Sequence, residues 1–369
     1  MRMAYDATSL LGPRTGVGLM ATRLLEGLAE SSDVDVVAFA NSWRGRGELR
    51  SLTPAGVTVV DRPLPARPAH FAWRHSGFPP VEWLTGRVDL VHGPNFLVPP
   101  SRHAARIMTV HDLTAVHHPE MCTPHTRTYP AAIRRALAQG AFVHTVSEFV
   151  RREVLDVFDA DPAQVTTVAN GVDAIPEADP AIGPRLAGGR DYILAIGTIE
   201  PRKGFPTLIR AFDALADANP TLRLVIAGPN GWGQAEFDHA IEQATHRHRI
   251  VRLGMIDEAH RASLLRGARV LAFPSRYEGF GLPPLEAMGA GTPVVATRAG
   301  AIPEVCADAA ELVDVDDADA LAGALDRVIH DEALREQLVA RGRARAGAFT
   351  WPAHVSGVLA MYRRAAVAS

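Results

Sequence analysis

Short apolar runs alternate with amphipathic stretches along nearly the whole chain. In the first half the runs are RMAYDA, VDVVAFA, VTVV, DLVHG, ARIMTV and AFVHTV; in the second they are DYILAIG, LRLVIAG, RIVRLG, VLAFP, TPVVAT and AAELVD. Each is short, bounded by turn residues and mostly apolar, as strands buried on both faces are. Between them, residues 17–30, 204–218, 257–267 and 317–330 carry apolar positions at helical spacing. Strands alternating with helices predict parallel sheets covered on both faces, and two such series predict two Rossmann-like domains in an α/β protein. The boundary is placed in DAIPEADPAIGPRLAGGRD, residues 173–191, which is rich in Pro, Gly, Ala and Asp and has no period. This gives an N-terminal domain over 1–175, a C-terminal domain over 188–349 and a last helix in the tail 350–369.

Composition narrows the classes. At 369 residues, 47% hydrophobic and 21% charged, the chain has an ordinary globular profile, and its net charge of −3 gives no basic surplus that would argue for nucleic acid. Cys122 and Cys306 have no metal or redox spacing and read as isolated reduced thiols of a cytoplasmic protein. MRMAYDATSLL turns polar before a signal-peptide core forms, and no apolar run is long enough to span a membrane. Of 38 basic residues only Lys203 is lysine. In so strong an arginine bias, a retained lysine suggests a site that needs a compact ammonium; chance survival is the plain alternative.

Ligands of open α/β sheets bind at the carboxyl ends of strands, so four strand-end loops carry the candidate chemistry. SLLGPRTGVG, residues 9–18, brings Gly16 and Gly18 to a helix start; it fits GxGxxG only loosely, and VVAFAN ends in Asn41 rather than an acid. A dinucleotide, a tight turn, or another anionic or sugar ligand all remain open there. In TVHDLTAVHHP, residues 109–119, His111 and Asp112 follow a strand directly. The imidazole suits a sugar hydroxyl or a leaving phosphate, or simple loop packing; His111, His117 and His118 lack one-face spacing and a completing carboxylate, which disfavours a metal. In GTIEPRKGF, Gly197 turns the chain and Pro201 limits it. Arg202 and Lys203 then stand at a helix start as a diphosphate clamp or as surface charge. In PSRYEGFGLPPLEAMGAGTPVVAT, residues 274–297, Glu278 and Glu286 flank Gly279, Gly281 and two prolines. The glycines expose N–H groups to an anion, and a carboxylate is the usual partner of ribose hydroxyls.

Glu278 and Glu286, separated by seven residues in EGFGLPPLEAM, with GTIEPRKG and VHD upstream, resemble the retaining GT-B glycosyltransferases of family GT4. VSEF (146–149), NGVD (170–173) and AGPNGWG (227–233) match in kind and order, and the likeness runs over nearly the full chain. The resemblance implies two Rossmann-like domains with parallel sheets facing across a cleft, an acceptor domain first, a nucleotide-sugar donor domain second, and a tail helix crossing back. It implies a donor site of Gly16, Gly18, Gly197, Arg202, Lys203, Asn230, Glu278, Gly279, Phe280, Gly281, Leu282 and Glu286. In it, Arg202 and Lys203 hold the diphosphate, Glu286 the ribose, Glu278 the transferred sugar, and backbone N–H groups around Phe280, Gly281 and Leu282 the sugar or phosphate. His111, with Asp112 beside it, would stand at the reactive face of the sugar. The GPRTGVG loop departs from the Gly-Gly pair frequent in the family, which leaves acceptor contacts open.

The implied reaction is hexosyl transfer with retention, from a nucleotide sugar (GDP-mannose first) to a hydroxyl of a glycan, lipid-linked or small-molecule acceptor. Arginine and lysine already neutralise the diphosphate, so no metal and no other cofactor is expected. The domains are expected to move about 173–191. Residues 43–83 interleave Trp43, Phe71, Trp73, Phe78 and Trp83 with Arg44, Arg46, Arg50, Arg62, Arg67 and Arg74, against Glu48, Asp61 and Glu82. Such a mix suits peripheral contact with an anionic membrane, or ordinary packing beneath solvated arginines. A non-catalytic nucleotide-sugar binder, a sugar-nucleotide epimerase and a phosphorylase are the rival classes. A pyridoxal-type phosphorylase would need a lysine beyond the one on the clamp.

Overall fold

The computed structural model describes residues 1–12, 15–42, 47–60, 68, 71–73 and 77–368. The chain divides into two compact units, residues 1–171 with 350–369, and residues 172–349. Among the described residues the first unit carries β1 (Arg2–Asp6), β2 (Asp35–Phe39), β3 (Thr58–Val60), β4 (Leu90–Gly93), β5 (Ala105–Val110), β6 (Phe142–Thr145) and β7 (Val165–Thr167). They form one sheet in the order β3-β2-β1-β4-β5-β6-β7, with every pair parallel. The second carries β8 (Tyr192–Ile196), β9 (Arg223–Ala227), β10 (Ile250–Gly254), β11 (Val270–Phe273), β12 (Val294–Thr297) and β13 (Glu311–Val313). Its order is β10-β9-β8-β11-β12-β13, again wholly parallel. In both sheets the order reverses beside the first strand, between β1 and β4 and between β8 and β11. Such a reversal opens a crevice at the carboxyl ends of the two strands.

Both faces of each sheet are covered, which is why the strands read as apolar runs rather than alternating ones. On β1, Met3 and Tyr5 enter one core with Leu24, Leu28 and Tyr362, while Ala4 enters another with Met108 and Ile133. The helices Gly16–Glu30, Phe205–Ala216, Glu258–Gly267 and Ala318–His330 lie where the helical spacing places them. The edge strand β7 is not marked by an apolar run, since two of its three residues are threonine. Residues 173–191 also differ from a bare linker. They belong to the second unit and form a helix over Ile182–Ala187, where the Gly183 N–H donates to Ser263 Oγ at 2.8 Å. Buried Gly183 and Ala187 fasten this turn to the helix Glu258–Gly267, and short small residues give no period to read.

The final helix, Trp351–Ala368, packs in the first unit through Val358, Met361, Tyr362 and Ala365. A polar thread ties it to the sheet. Tyr362 Oη lies 2.6 Å from His92 Nδ1, and His92 Nε2 lies 2.8 Å from Thr109 Oγ1. Thr109 Oγ1 is 3.0 Å from His144 Nδ1, and His144 Nε2 donates to the Val168 carbonyl at 2.9 Å. Burial pushes His92 down to about 3, with repulsion from His354 and His111 adding to it. Burial likewise drives His144 well below the usual imidazole range and His354 to about 4. The thread is therefore one of neutral rings, joined by hydrogen bonds rather than by charge.

Candidate active site

The loops after β8 and β11 meet at the reversal of the second sheet. After β8 the chain runs through Gly197 into a single 3-10 turn, Pro201–Lys203, and then the helix Phe205–Ala216. Gly204 joins the two in the left-handed region (φ 64°), and a Cβ there would stand 2.0 Å from the Pro274 carbonyl oxygen. Only glycine allows both the turn and this approach to the β11 loop. Gly197 supplies room rather than a turn: its missing side chain leaves space for the stem of Lys203, whose Cε would lie 3.3 Å from a Cβ at that position. The Lys203 ammonium also stands 5.0 Å from the centre of the Phe273 ring, at the end of β11.

Arg202 and Lys203 are not open cations. Lys203 Nζ donates to Glu278 Oε1 at 2.6 Å, and Arg202 pairs with Glu278 Oε2 at 2.8 Å and with Glu200 Oε1 at 2.8 Å. Ser275 Oγ donates to Glu278 Oε1 at 2.7 Å. Lys203 and Glu278 are 8% and 7% exposed, so neither ion has bulk water to fall back on. Burial alone would raise the Glu278 carboxyl, but Arg202 and Lys203, with the bonds from Lys203 and Ser275, outweigh it and hold it at about 2. The backbone of Glu278 is fixed from the far side, where its carbonyl accepts the Ala301 N–H at 2.8 Å. Gly300 (φ 58°) makes that approach possible, since a Cβ there would lie 2.2 Å from the same oxygen. Arg276 closes the arrangement: its N–H donates to the Arg202 carbonyl at 2.7 Å, and its Nε to Asp316 Oδ1 at 2.8 Å.

Beyond Glu278 the chain passes Gly279, the buried Phe280 and Gly281 into the helix Leu282–Ala290, whose N-terminus carries no side-chain cap. Pro283 and Pro284 occupy its first turn, so N–H groups about Gly281 and Leu282 are what this positive helix end offers. Glu286, on the next turn, is 8% exposed and accepts from Arg261 of the helix Glu258–Gly267. Asn230 accepts from Arg252, while Ile199 and Asn230 form a parallel bridge that lays AGPNGWG against the loop that carries Arg202 and Lys203. The glycines of that stretch are spacing devices: a Cβ on Gly233 would lie 2.9 Å from the backbone of Glu200.

In the first unit, Gly16 opens the helix Gly16–Glu30, and the Thr15 side chain caps it by accepting from the Gly18 N–H at 3.1 Å. Gly18 faces the Ser9 carbonyl, 2.9 Å from where its Cβ would be. Pro13 and Arg14 of the same loop lie outside the described residues. His111 follows β5, donates Nε2–H to the Pro94 carbonyl at 2.8 Å and packs edge-on to Phe96. Burial lowers its titration, against the opposing effects of Pro94 and Asp112, so the ring is neutral and Nδ1 is an acceptor. Asp112 Oδ1 accepts from the Thr114 N–H at 2.9 Å. His117 and His118 turn to separate carboxylates, Glu153 and Glu120. Of the aromatic and arginine stretch, Trp73 is buried and donates to the Pro79 carbonyl at 3.0 Å. Phe71, Phe78 and Trp83 are exposed, the last two edge to face at 4.8 Å. Trp43, Arg44, Arg46, Asp61, Arg62, Arg67 and Arg74 lie outside the described residues.

Family models agree with this division. The model for glycosyl transferases group 1 matches residues 183–345, and that for the glycosyl transferase 4-like domain matches residues 15–171. The chain is 33% identical over 270 residues to the O-antigen chain mannosyltransferase B of Escherichia coli, covering 71% of each chain. The chain belongs to the group 1 glycosyltransferases. It is also 30% identical over 353 residues to the D-inositol 3-phosphate glycosyltransferase of Salinispora arenicola (strain CNS-205), covering 87% of this chain and 74% of that one. Among solved structures, the sucrose-phosphate synthase of Thermosynechococcus elongatus superposes over 100% of both chains with a TM-score of 0.80 at 20% identity. The fold of this glycosyltransferase is accordingly GT-B.

Within the glycosyltransferase, Gly197, Arg202, Lys203, Glu278, Gly279, Phe280, Gly281 and Leu282 gather at the ends of β8 and β11, with Glu286 one helical turn on. Asn230 stands on the neighbouring loop and is engaged by Arg252. His111, Asp112, Gly16 and Gly18 belong to the first unit. The sequence reading missed Glu200, Ser275, Arg261, Arg276 and the Gly300–Ala301 cradle. Ser275, three residues before Glu278 in PSRYEG, and Glu200, two before Arg202 in GTIEPRKG, each had a signal; Arg261, Arg276 and Gly300 meet partners more than twenty residues away and left none.

Proposed function

We propose that this glycosyltransferase transfers a hexose with retention from a nucleotide sugar, with GDP-mannose as the first donor to test, and that the second unit holds the donor. The observation that carries the reading is the placement of Arg202 and Lys203 at the ends of the two strands flanking the sheet reversal, where an α/β sheet offers its ligand site. Arg202 would meet the diphosphate by its fork and Lys203 as a point charge, both stabilising the leaving nucleoside diphosphate. N–H groups about Gly281 and Leu282 would add to that stabilisation. Glu286 would take the ribose and Glu278 the hexose. His111, neutral and with Nδ1 an acceptor, would accept from a sugar hydroxyl. The mannosyltransferase relative supports the choice of donor sugar.

In this reading no side chain forms a bond to the sugar. The bond from C1 to the diphosphate oxygen breaks and its electrons remain on that oxygen. The acceptor hydroxyl bonds to C1 from the same face, and its proton passes to the oxygen just released. In this reading Arg202 and Lys203 supply the positive charge for the leaving group, and no metal is called for. The acceptor is a glycan, lipid-linked or small-molecule hydroxyl. Among the described residues no helix is long and apolar enough to cross a membrane. For a lipid-linked acceptor, exposed Phe71, Phe78 and Trp83 would supply peripheral contact.

The test is calorimetry and slow nucleoside diphosphate release across GDP-mannose, UDP-glucose, UDP-N-acetylglucosamine, UDP-galactose and dTDP-rhamnose. One donor should bind and be turned over. Lys203→Ala should lower that turnover about 100-fold or more without unfolding the second unit. Near-normal turnover in this variant would sink the clamp.

A further inference from the structure

Glu200, Arg202, Lys203 and Glu278 crowd the ends of β8 and β11 as two carboxylates and two cations, and their charges sum to zero. A diphosphate entering here meets cations that are already matched. Glu278 keeps its charge at neutral pH, so the conflict is not relieved by protonation. Three of its roughly four acceptor positions are taken, by Lys203, Ser275 and Arg202. A pair of hexose hydroxyls needs two acceptors, so Glu278 cannot serve a hexose while keeping every present partner. Its backbone is pinned by Ala301 behind Gly300, so relief has to come from side-chain rotation.

We propose that Glu278 is an exchangeable counter-ion that selects donor over product. It holds Arg202 and Lys203 between turnovers, yields them to the donor diphosphate while its carboxylate moves onto hexose hydroxyls, and returns to them once the hexose has left. This rests on the reading that the second unit takes a nucleotide sugar. A free nucleoside diphosphate is more negative than its sugar ester and brings no hexose hydroxyls to occupy the displaced carboxylate. It therefore competes with Glu278 for the cations with nothing in return, and the returning carboxylate speeds its departure. Lys203 is where the effect concentrates, since a buried ammonium without its carboxylate is costly and would draw in another anion.

The test is titration of GDP, UDP and dTDP into wild type and Glu278→Gln. The glutamine carbonyl still accepts from Ser275 but carries no charge. The variant is expected to bind the preferred nucleoside diphosphate about tenfold tighter or more, with a smaller ratio of donor to product affinity. Its melting temperature should be lower without ligand and should rise further with it than that of wild type. If Glu278→Gln binds product no tighter than wild type does, the counter-ion role is overturned and the donor reading stands. If neither protein binds any of the three at millimolar concentration, the donor reading falls and the inference with it. Should the glutamine variant not fold, Glu278→Asp draws the charge back by one methylene and should tighten product binding by a smaller factor; unchanged affinity there overturns the proposal equally.

Discussion

Both units bury a polar network beside their first strand, and the two networks are built from opposite materials. In the first unit Tyr362, His92, Thr109 and His144 form a thread of neutral groups, each ring nitrogen within hydrogen-bond reach of a fixed partner. In the second, Glu200, Arg202, Lys203 and Glu278 form a cluster of full charges. A neutral thread has no surplus affinity for an ion and serves to fix the final helix to β4, β5 and β6. An ionic cluster is stable only while every charge is matched, which makes it responsive to any charged ligand that enters. The difference separates a polar network that joins elements from one that exchanges partners.

Acid should break the two networks in sequence, and this is the largest expected effect. The folded histidines titrate below their unfolded value of about 6.5, so their stabilising effect is complete above that pH and is lost as pH falls toward the folded values. Asp6, buried and raised to about 6 despite its bonds from Thr8, runs the other way, gaining stability as pH falls. Between pH 6 and 4.5, His92, His111, His144 and His354 all oppose Asp6, so the balance runs toward loss of stability. At about 1.4 kcal/mol per net group per pH unit, the first unit should lose on the order of a few kcal/mol over that range. Glu278 is depressed to about 2, so its contribution is intact above about 4.5 and fades only below. Hydrogen exchange followed by mass spectrometry at pH 6.5, 5.5 and 4.5 should show β4–β6 losing protection while β8 and β11 keep theirs. Simultaneous loss would erase the contrast.

Gly204→Ala should come next and act on the ionic cluster alone. Its Cβ would fall 2.0 Å from the Pro274 carbonyl, and alanine resists the left-handed backbone. We expect about 3 kcal/mol of destabilisation in the second unit and a weakened grip of Arg202 and Lys203 on diphosphate, with β4–β6 protection unchanged. Denaturant melts and nucleoside diphosphate titration check both; a variant with normal stability would mean that the β8 and β11 loops are not held by this contact.

The same residue shows how far the sequence can be read. The strands were legible because buried parallel strands are apolar runs, and the helix starts because their spacing changes there. GTIEPRKG located the cations, and the seven-residue gap located both glutamates, since each lies within one short stretch. What lay beyond reading was the pairing of Lys203 with Glu278, 75 positions away, which neutralises a clamp that looks open in one dimension. Nor could the sequence distinguish Gly197, which makes room, from Gly204, which bears an unusual φ. The thread of histidines was wholly invisible: His92 and His144 sit in runs where an imidazole reads as an interruption.

Tyr362→Phe is the smallest change and the sharpest test of the neutral thread. It removes one hydroxyl from a fully buried ring and leaves the volume almost unchanged, so packing against Met20 and Leu24 should survive. His92 Nδ1, in a fully buried ring, then loses the partner it holds at 2.6 Å. The cost of one buried unpaired nitrogen is about 1–2 kcal/mol, and it should appear as lost protection in the final helix and β4. Because no charge changes, nucleoside diphosphate affinity at the second unit should stay at its wild-type value and the acid loss in the first unit should keep its slope. If the variant instead altered diphosphate affinity as Glu278→Gln is expected to, the distinction between a joining network and an exchanging one would fail, because a neutral hydroxyl in one unit would then govern an ionic exchange in the other.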